Sequence, residues 1–178
     1  MSGPVEPIQV NLRAERFAVL KATAKCHACH ADTRVSALMV PAFQEFDGEE
    51  WRAQDDSALL IYVEGVDASS WKVWNDLAPW VRLAPSKTAG ITYLANVCLC
   101  GALQGDFYLI EPGAPFFPLD DAGLAAIEVE WVETPIEASA DTSQSSWTDQ
   151  LIERFPYHGW VPAPMPPKKR VRNHRGRS

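Results

Sequence analysis

The residues with the clearest chemistry in this chain are four cysteines, arranged as two close pairs. Cys26 and Cys29 form the first pair, and Cys98 and Cys100 form the second. A structural zinc ion takes four soft or borderline ligands in a closed tetrahedron, and two turns that each offer two thiolates supply such a set. Gly101 follows the second pair, where a sharp turn around a metal favours glycine. The spacing therefore predicts one structural zinc ion held by all four cysteines.

The second pair is tighter than the first, because only Leu99 separates its members. Residues two apart in an extended strand face the same side, so both sulfurs are still expected to reach one metal ion. If Cys98 and Cys100 could not close the site, His30 would be the substitute ligand. The sequence by itself leaves that choice open.

Three other interpretations of the cysteines are weaker. Reduced buried cysteines can act as small apolar side chains, but two tight pairs at predicted strand ends argue against this. Cys26, Cys29 and His30 fit the C-x-x-C-H attachment motif of c-type haem, which would leave Cys98 and Cys100 unexplained. A thioredoxin-like redox motif requires a βαβ pattern around the pair, and none surrounds this one.

Length and composition indicate a globular protein. The chain has 178 residues, of which 47% are hydrophobic, and it contains seven tryptophans. No apolar run approaches the roughly 20 residues of a membrane helix. Residues 1–10 lack the basic start and apolar stretch of a signal peptide. We therefore expect a cytoplasmic protein with reduced thiols and no membrane contact.

Charge is divided between an acidic body and a basic tail. The net charge is −7, and residues 168–177 hold six lysines and arginines and no acid, which leaves −13 on residues 1–167. Six cations predict weak, non-specific, salt-sensitive binding of nucleic acid through the tail. A purely solubilising tail is the simpler alternative. The acidic body argues against a zinc finger that reads DNA.

Hydrophobic patterning predicts an α+β fold with a β-rich core of antiparallel hairpins. Alternation predicts a hairpin of strands 17–26 and 33–40, with Cys26 and Cys29 at its tip. Further strands are expected at residues 58–64, 91–97, 102–110 and 127–132. Polar composition predicts loops at residues 44–57 and 137–145.

Two or three short helices are expected between these strands. Ser69 or Ser70 is positioned to cap the first helix, and Asp120 or Asp121 is positioned to cap a single turn. Ser146 and Asp149 resemble a capping box at the start of the last helix, whose apolar stripe would be formed by Trp147, Leu151 and Phe155. The predicted organisation is one globular domain at residues 1–160, followed by a Pro-rich, basic, disordered tail at residues 161–178.

A longer run of residues carries a family resemblance. The segments at residues 88–90, 93–109, 111–113 and 115–118, together with the first cysteine pair, resemble a group of uncharacterised bacterial zinc-ribbon proteins. The resemblance spans roughly residues 17–118, and its most specific part is the Gly101–Asp106 segment, GALQGD. The family pattern places two residues between the second pair of cysteines, and this chain has one. The resemblance implies a bound zinc ion and a zinc-ribbon-like core, but no activity.

The sequence supports two classes of function. No nucleophile motif, phosphate-binding loop, dinucleotide-binding glycine run or H-E-x-x-H motif is present, so no catalytic residue is predicted. The first hypothesis is a zinc-stabilised module that binds a protein partner. The alternative is an enzyme whose site the sequence does not reveal. A closed four-sulfur site with exposed tryptophan would favour the module, and an open metal position or a deep polar cleft would favour the enzyme.

Overall fold

The structure, a computed structural model, describes residues 8–154, and it is β-rich with mainly antiparallel strand pairs. Within that range there are eleven strands and four short helices, which confirms the α+β class. The strands are β1 (Leu12–Ala14), β2 (Phe17–Lys25), β3 (Asp32–Val40), β4 (Phe43–Phe46), β5 (Trp51–Gln54), β6 (Ala58–Val66), β7 (Val81–Ser86), β8 (Ile91–Val97), β9 (Leu103–Gln104), β10 (Glu128–Val132) and β11 (Ile136–Ser143). The helices are α1 (Ala68–Leu77), α2 (Asp106–Leu109), α3 (Asp121–Ala125) and α4 (Ser146–Arg154).

The strands form two sheets. Eight of them make the larger sheet in the order β10-β2-β3-β6-β11-β1-β4-β5, and β7, β8 and β9 make the smaller one. The predicted hairpin of β2 and β3 is confirmed, with a register that runs from Ala18 opposite Met39 to Lys25 opposite Asp32. Each sheet therefore contributes one hairpin that ends near a cysteine pair.

Both faces of the larger sheet are covered. Strand β2 alternates between two apolar clusters, because Phe17 and Val19 belong to one and Leu20 and Ala22 to the other. Trp74 of α1 packs in the first cluster. The second cluster takes buried residues from α2, α3 and α4, namely Leu109, Leu124, Trp147 and Leu151. This double coverage explains why β2 carries apolar residues at consecutive positions.

Two segments expected to be loops are strands. Residues 44–57 contain most of the β4–β5 hairpin, and residues 137–145 contain most of β11, which lies inside the larger sheet between β6 and β1. The buried side chains of β11 include Ala138 and Ala140, whose small size gives a weak hydrophobic signal. Composition alone misses such a strand because its neighbours, and not its own apolar content, stabilise it.

The strand predicted at residues 102–110 is wrong beyond its first residues. Strand β9 contains only Leu103 and Gln104, and the four-residue helix α2 follows at once. Asp106 stands in the first turn of α2, where a carboxyl group is compatible with the helix dipole. The apolar residues after it read as a strand in the sequence because a one-turn helix is too short to show a helical period.

The helix caps also differ in detail. Asp67, and not Ser69 or Ser70, caps α1, since its side chain accepts hydrogen bonds from both of those backbone amides. Asp120 caps α3 as expected. In α4 the carboxylate of Asp149 accepts a 2.6 Å hydrogen bond from the hydroxyl of Ser57. Helix α4 is therefore tied to the chain just before β6.

Some predictions concern residues outside the described range. The end of the 1–160 domain, the basic tail at residues 161–178 and the apolar contribution of Phe155 all lie there. Within residues 8–154 no helix is long and apolar enough to cross a membrane.

Candidate metal centre

The first cysteine pair lies in the turn that joins β2 to β3. The amide of Cys26 donates to the carbonyl of Ala31 at 2.9 Å, and the amide of His30 donates to the carbonyl of Cys26 at 2.9 Å. His30 takes the left-handed conformation that closes this turn, with φ of 61°. Cys26 is buried and Cys29 is exposed. The turn therefore presents one thiol to the interior and one to the surface.

The second pair lies in the turn that joins β8 to β9. The amide of Cys98 donates to the carbonyl of Ala102 at 2.9 Å, and the amide of Gly101 donates to the carbonyl of Cys98 at 2.8 Å. Gly101 has φ of 90°, which explains the glycine. Strand β8 ends at Val97, so the expectation that strand alternation aligns the two cysteines is wrong. A tight turn aligns them instead.

The side chain of Asn96 joins the two hairpins close to the cysteines. Its amide donates to the carbonyl of Ser36 at 2.9 Å, and its carbonyl oxygen accepts from the amide of Ser36 at 2.7 Å. The indole of Trp80 donates to the same oxygen at 3.1 Å. Because Asn96 is buried and only two residues from Cys98, these bonds position the second turn against the first.

The four sulfur atoms lie together. The Sγ atoms of Cys26 and Cys100 are 3.6 Å apart, and those of Cys29 and Cys98 are 3.7 Å apart. All four lie within 4.8 Å of one another. The four cysteines are free thiols and form no disulfide. Each short distance joins the two turns, so the cluster is a candidate metal site built from both hairpins.

Hydrogen-bond donors surround the most buried sulfur. The amide of Ala28 lies 3.4 Å from the Sγ of Cys26, and the side-chain amide of Gln104 lies 3.3 Å from it. Gln104 is held in place by a second hydrogen bond to the carbonyl of Ala102, at 3.0 Å. Donors in these positions favour the thiolate form, which is the form that binds metal.

The pKa values of the thiols are shifted in opposite directions within the cluster. Hydrogen bonds, the largest from the amide of Cys29, lower the pKa of Cys26 to about 6. The amide of Cys100 contributes most to lowering the pKa of Cys98. The amide of Ala102 also lowers the pKa of Cys100, but burial and the neighbouring cysteines outweigh it and raise that pKa to about 11. Four thiolates this close together repel each other unless a positive charge lies between them.

His30 is not part of this cluster. Its side chain is exposed, and the group of candidate ligands contains cysteines only. The second pair reaches the first without it, so a substitute ligand is not needed. The C-x-x-C-H haem interpretation leaves unexplained why Cys26 and Cys29 face Cys100 and Cys98.

Sequence reasoning missed the residues that support the cysteines. Asn96 and Gln104 are both buried and polar, and each makes its contact with the hairpin of β2 and β3. Gln104 lies inside the GALQGD segment that carries the family resemblance, which was the available signal. Asn96 gave no signal, because its partner Ser36 is 60 residues away in the chain.

Asp106 makes an unusual contact beside α2. Its carboxylate accepts a 2.8 Å hydrogen bond from the amide of Tyr62, which has φ of 49°. The hydroxyl of Tyr93 accepts a 3.1 Å hydrogen bond from the amide of Asp106. Although part of the residue is accessible to solvent, burial of the carboxyl group raises the pKa of Asp106 to about 7. Asp106 is thus an enclosed acid whose carboxylate binds the amide of Tyr62, a residue with a strained backbone conformation.

A cleft of about 700 Å³ opens beside the first cysteine turn. Its apolar lining includes Ala22, Leu109, Pro115, Leu119 and Ile127. Its polar lining includes Thr23, Lys25, His27, Gln104, Tyr108 and Asp120. The cleft borders the candidate metal site through Gln104, which contacts Cys26.

Comparison with protein-family models, with curated proteins and with solved structures found no match for this chain.

Proposed function

We propose that the chain is a zinc-stabilised binding module in which one zinc ion joins the two cysteine turns. The observation that carries this proposal is the sulfur geometry. Four thiolates at a zinc–sulfur distance of about 2.3 Å define a tetrahedron with edges of about 3.8 Å. The two distances between the turns, 3.6 and 3.7 Å, are close to that edge.

The proposed role of the zinc ion is structural. Four sulfurs fill a tetrahedral site, so no position remains for water or substrate. Cys26 and Cys100 are separated by 74 residues in sequence, and the ion would connect the larger sheet to the smaller one. The resemblance to bacterial zinc-ribbon proteins agrees with this role, and it remains a prediction.

The partner surface that we propose lies beside the second cysteine turn. Leu99 is fully exposed at the tip of this turn, and Phe107 and Tyr108 are more than half exposed. The rings of Phe107 and Tyr108 meet edge to face, with centroids 5.5 Å apart. Exposed apolar side chains of this kind are typical of protein-binding surfaces. An exposed tryptophan, which would favour a binding module, is not found among the described residues, where every tryptophan is buried or half-buried.

Nucleic acid is a weaker second partner in this proposal. The contact would reside in the six cations of residues 168–177, and the net charge of −13 on residues 1–167 would repel phosphate. We propose the cytoplasm as the site of action, because the thiols must remain reduced to bind metal.

An enzyme is the second candidate, and the cleft beside the first turn is the observation in its favour. The cleft is large enough for a small ligand. Much of its lining is apolar, and its polar side chains form no arrangement of nucleophile and base that we recognise. The binding module is therefore the better supported function.

Elemental analysis of the purified full chain tests the metal. The proposal expects about one zinc per chain in the wild type, and none after Cys26→Ser combined with Cys98→Ser. Iron in place of zinc would contradict the choice of metal. A metal-free wild type whose four thiols all react with a thiol reagent would contradict the site itself.

Substitution at the second turn tests the partner surface. Leu99→Asp places a charge at the tip and leaves the cysteines unchanged, and Leu83→Asp is the matched control because Leu83 is also exposed but lies on β7. A protein that co-purifies with the wild type and the control, but not with Leu99→Asp, would support the module. Equal recovery of every co-purifying protein with both variants would contradict it.

A further inference from the structure

The cleft beside the first cysteine turn is lined by four parts of the chain, one of which is the segment at residues 104–109 around α2. Another part is strand β2, through residues such as Ala22 and Ala24, and a third is the turn at residues 113–118. Helix α3 and the residues next to it complete the cleft with Asp120, Gly123 and Ala126. These walls belong to the face of the larger sheet that also carries α4.

Two large side chains with apolar surface that line the cleft are exposed to solvent. Leu119 is 71% exposed and Tyr108 is 61% exposed, and both line the cleft. Leu119 lies over Gly113, since a Cβ atom built on that glycine would be 3.6 Å from the Leu119 side chain. A concave site whose large apolar side chains face solvent is suited to an apolar segment of chain.

The described chain ends at this cleft. Leu151 of α4 is fully buried in the same cluster as Leu124 and Ile127. Arg154, the last residue of α4, contacts the carboxylate of Asp121 in α3. Asp121 is the neighbour of Asp120, which lines the cleft. Arg154, the last described residue, therefore lies next to the edge of the cleft.

The segment that follows Arg154 in the sequence has the composition of a ligand for the cleft. Residues 155–160 read FPYHGW, with three aromatic side chains and no acidic, lysine or arginine residue. Each aromatic side chain can bury about 150–250 Å². Six extended residues span about 20 Å, which is long enough to cross a site of this size. The basic stretch from residue 168 is different in kind, because it holds six cations and almost no apolar area.

We propose that residues 155–160 occupy this cleft in the same chain, with aromatic side chains packed between Tyr108 and Leu119. Attachment at Arg154 gives the segment a high effective concentration at the site, so it needs little intrinsic affinity. The docked segment covers both of these side chains. It also shares Tyr108 with the proposed partner surface, so an outside partner that uses Tyr108 must compete with it. The inference itself does not depend on the metal or on such a partner.

Photo-crosslinking in the full chain tests the location of the segment. A benzophenone amino acid in place of Leu119 is expected to crosslink to residues 155–168, which trypsin releases as one peptide between Arg154 and Lys169. The same amino acid in place of Leu83, which is 60% exposed on β7, is the matched control and should give no such crosslink. Failure of the Leu119 probe to reach residues 155–168, or equal yields from the two positions, would overturn the proposal.

Two further measurements test whether a second copy of the chain occupies the cleft and whether the aromatic residues of the segment protect it. Crosslinks that join two chains, in yields that rise with protein concentration, would show that a second copy is the occupant and would overturn docking within one chain. Hydrogen exchange at residues 105–126 should become at least about threefold faster in the Tyr157→Ala, Trp160→Ala double variant. The Arg170→Ala, Arg172→Ala variant should leave it unchanged. Unchanged exchange in the aromatic variant would also contradict the proposal.

Discussion

The side-chain amide of Asn96 forms with the backbone of Ser36 the two hydrogen bonds that a paired strand residue would form. The smaller sheet is thereby joined to the larger one by a side chain, two residues before the second cysteine pair. This bond pattern and the sulfur cluster connect the same two hairpins. The two hairpins are thus joined at two points. One is the buried pair of hydrogen bonds between Asn96 and Ser36, and the other is the proposed metal site.

Removal of the Asn96 amide should separate the hairpins. Asn96→Ala leaves the amide and carbonyl of Ser36 without partners in the interior, and it takes an acceptor from Trp80. We expect a loss of about 2–4 kcal/mol in the free energy of unfolding. Urea denaturation of the wild type and the variant measures it. A loss below about 0.5 kcal/mol would show that the joint is not structural.

Loss of a metal ligand should lower the melting temperature. If zinc joins the two turns, its binding energy contributes directly to folding. Cys29→Ser, which changes an exposed cysteine, is then expected to lower the melting temperature by about 10 °C or more. Calorimetry with and without a chelator measures the effect. Ala28→Ser is the control because it alters the same turn without removing a sulfur. A melting temperature that changes with neither Cys29→Ser nor chelation would exclude a structural metal.

Gln104 should affect the zinc affinity of the metal site and contribute little to the fold. Gln104→Leu keeps a similar volume and removes the amide that donates to Cys26. Partners that orient and polarise ligands typically change metal affinity by about 10–100-fold. We therefore expect zinc to be lost to a competing chelator at about 10-fold lower chelator concentration, with little change in the circular dichroism of the metal-loaded protein. Equal retention of zinc by the wild type and Gln104→Leu would mean that the 3.3 Å contact with Cys26 does not affect zinc affinity.

Asp106 should make stability depend on pH. Burial raises its pKa from 3.8 to about 7. A raised pKa means that the folded state binds the proton more tightly, so this contribution is complete below about pH 4 and is lost as the pH rises through about 7. Asp106→Asn keeps an acceptor for the amide of Tyr62 and removes the titration.

The stability of Asp106→Asn relative to the wild type should therefore increase by about 1–3 kcal/mol between pH 4 and pH 8. Denaturant titrations of both proteins at several pH values measure this difference, and effects of pH on the metal site largely cancel between them. A difference that stays constant with pH would contradict the raised pKa. A difference that falls as the pH rises would mean that folding lowers the pKa of Asp106.

The basic tail should be separable from the body. Deletion of residues 166–178 removes all six cations of the C-terminal stretch and leaves residues 155–160 in place. We expect zinc content and melting temperature to stay the same, and nucleic-acid binding at low salt to disappear. Titration of unrelated duplexes at several salt concentrations measures the binding. Sequence-selective binding that survives the deletion would assign it to the body instead.

The amino-acid sequence by itself determined the features that depend on neighbours along the chain. Apolar and polar residues alternate over the second half of β2, and this local pattern predicted its hairpin with β3. Two close pairs of cysteines predicted the four members of the candidate site, because metal-binding turns need their ligands a fixed few residues apart. The cap of α3 at Asp120 was likewise a local signal.

The tertiary structure decided what depends on residues distant in sequence. Strand β11 is stabilised by β6 and β1 on its two sides. Its own polar composition therefore gave no strand signal in the sequence. The approach of Cys26 to Cys100, the bond from Asn96 to Ser36 and the enclosure of Asp106 each join positions at least 44 residues apart. No local pattern encodes such contacts, because they arise only when the two sheets pack and bring separate turns to one place.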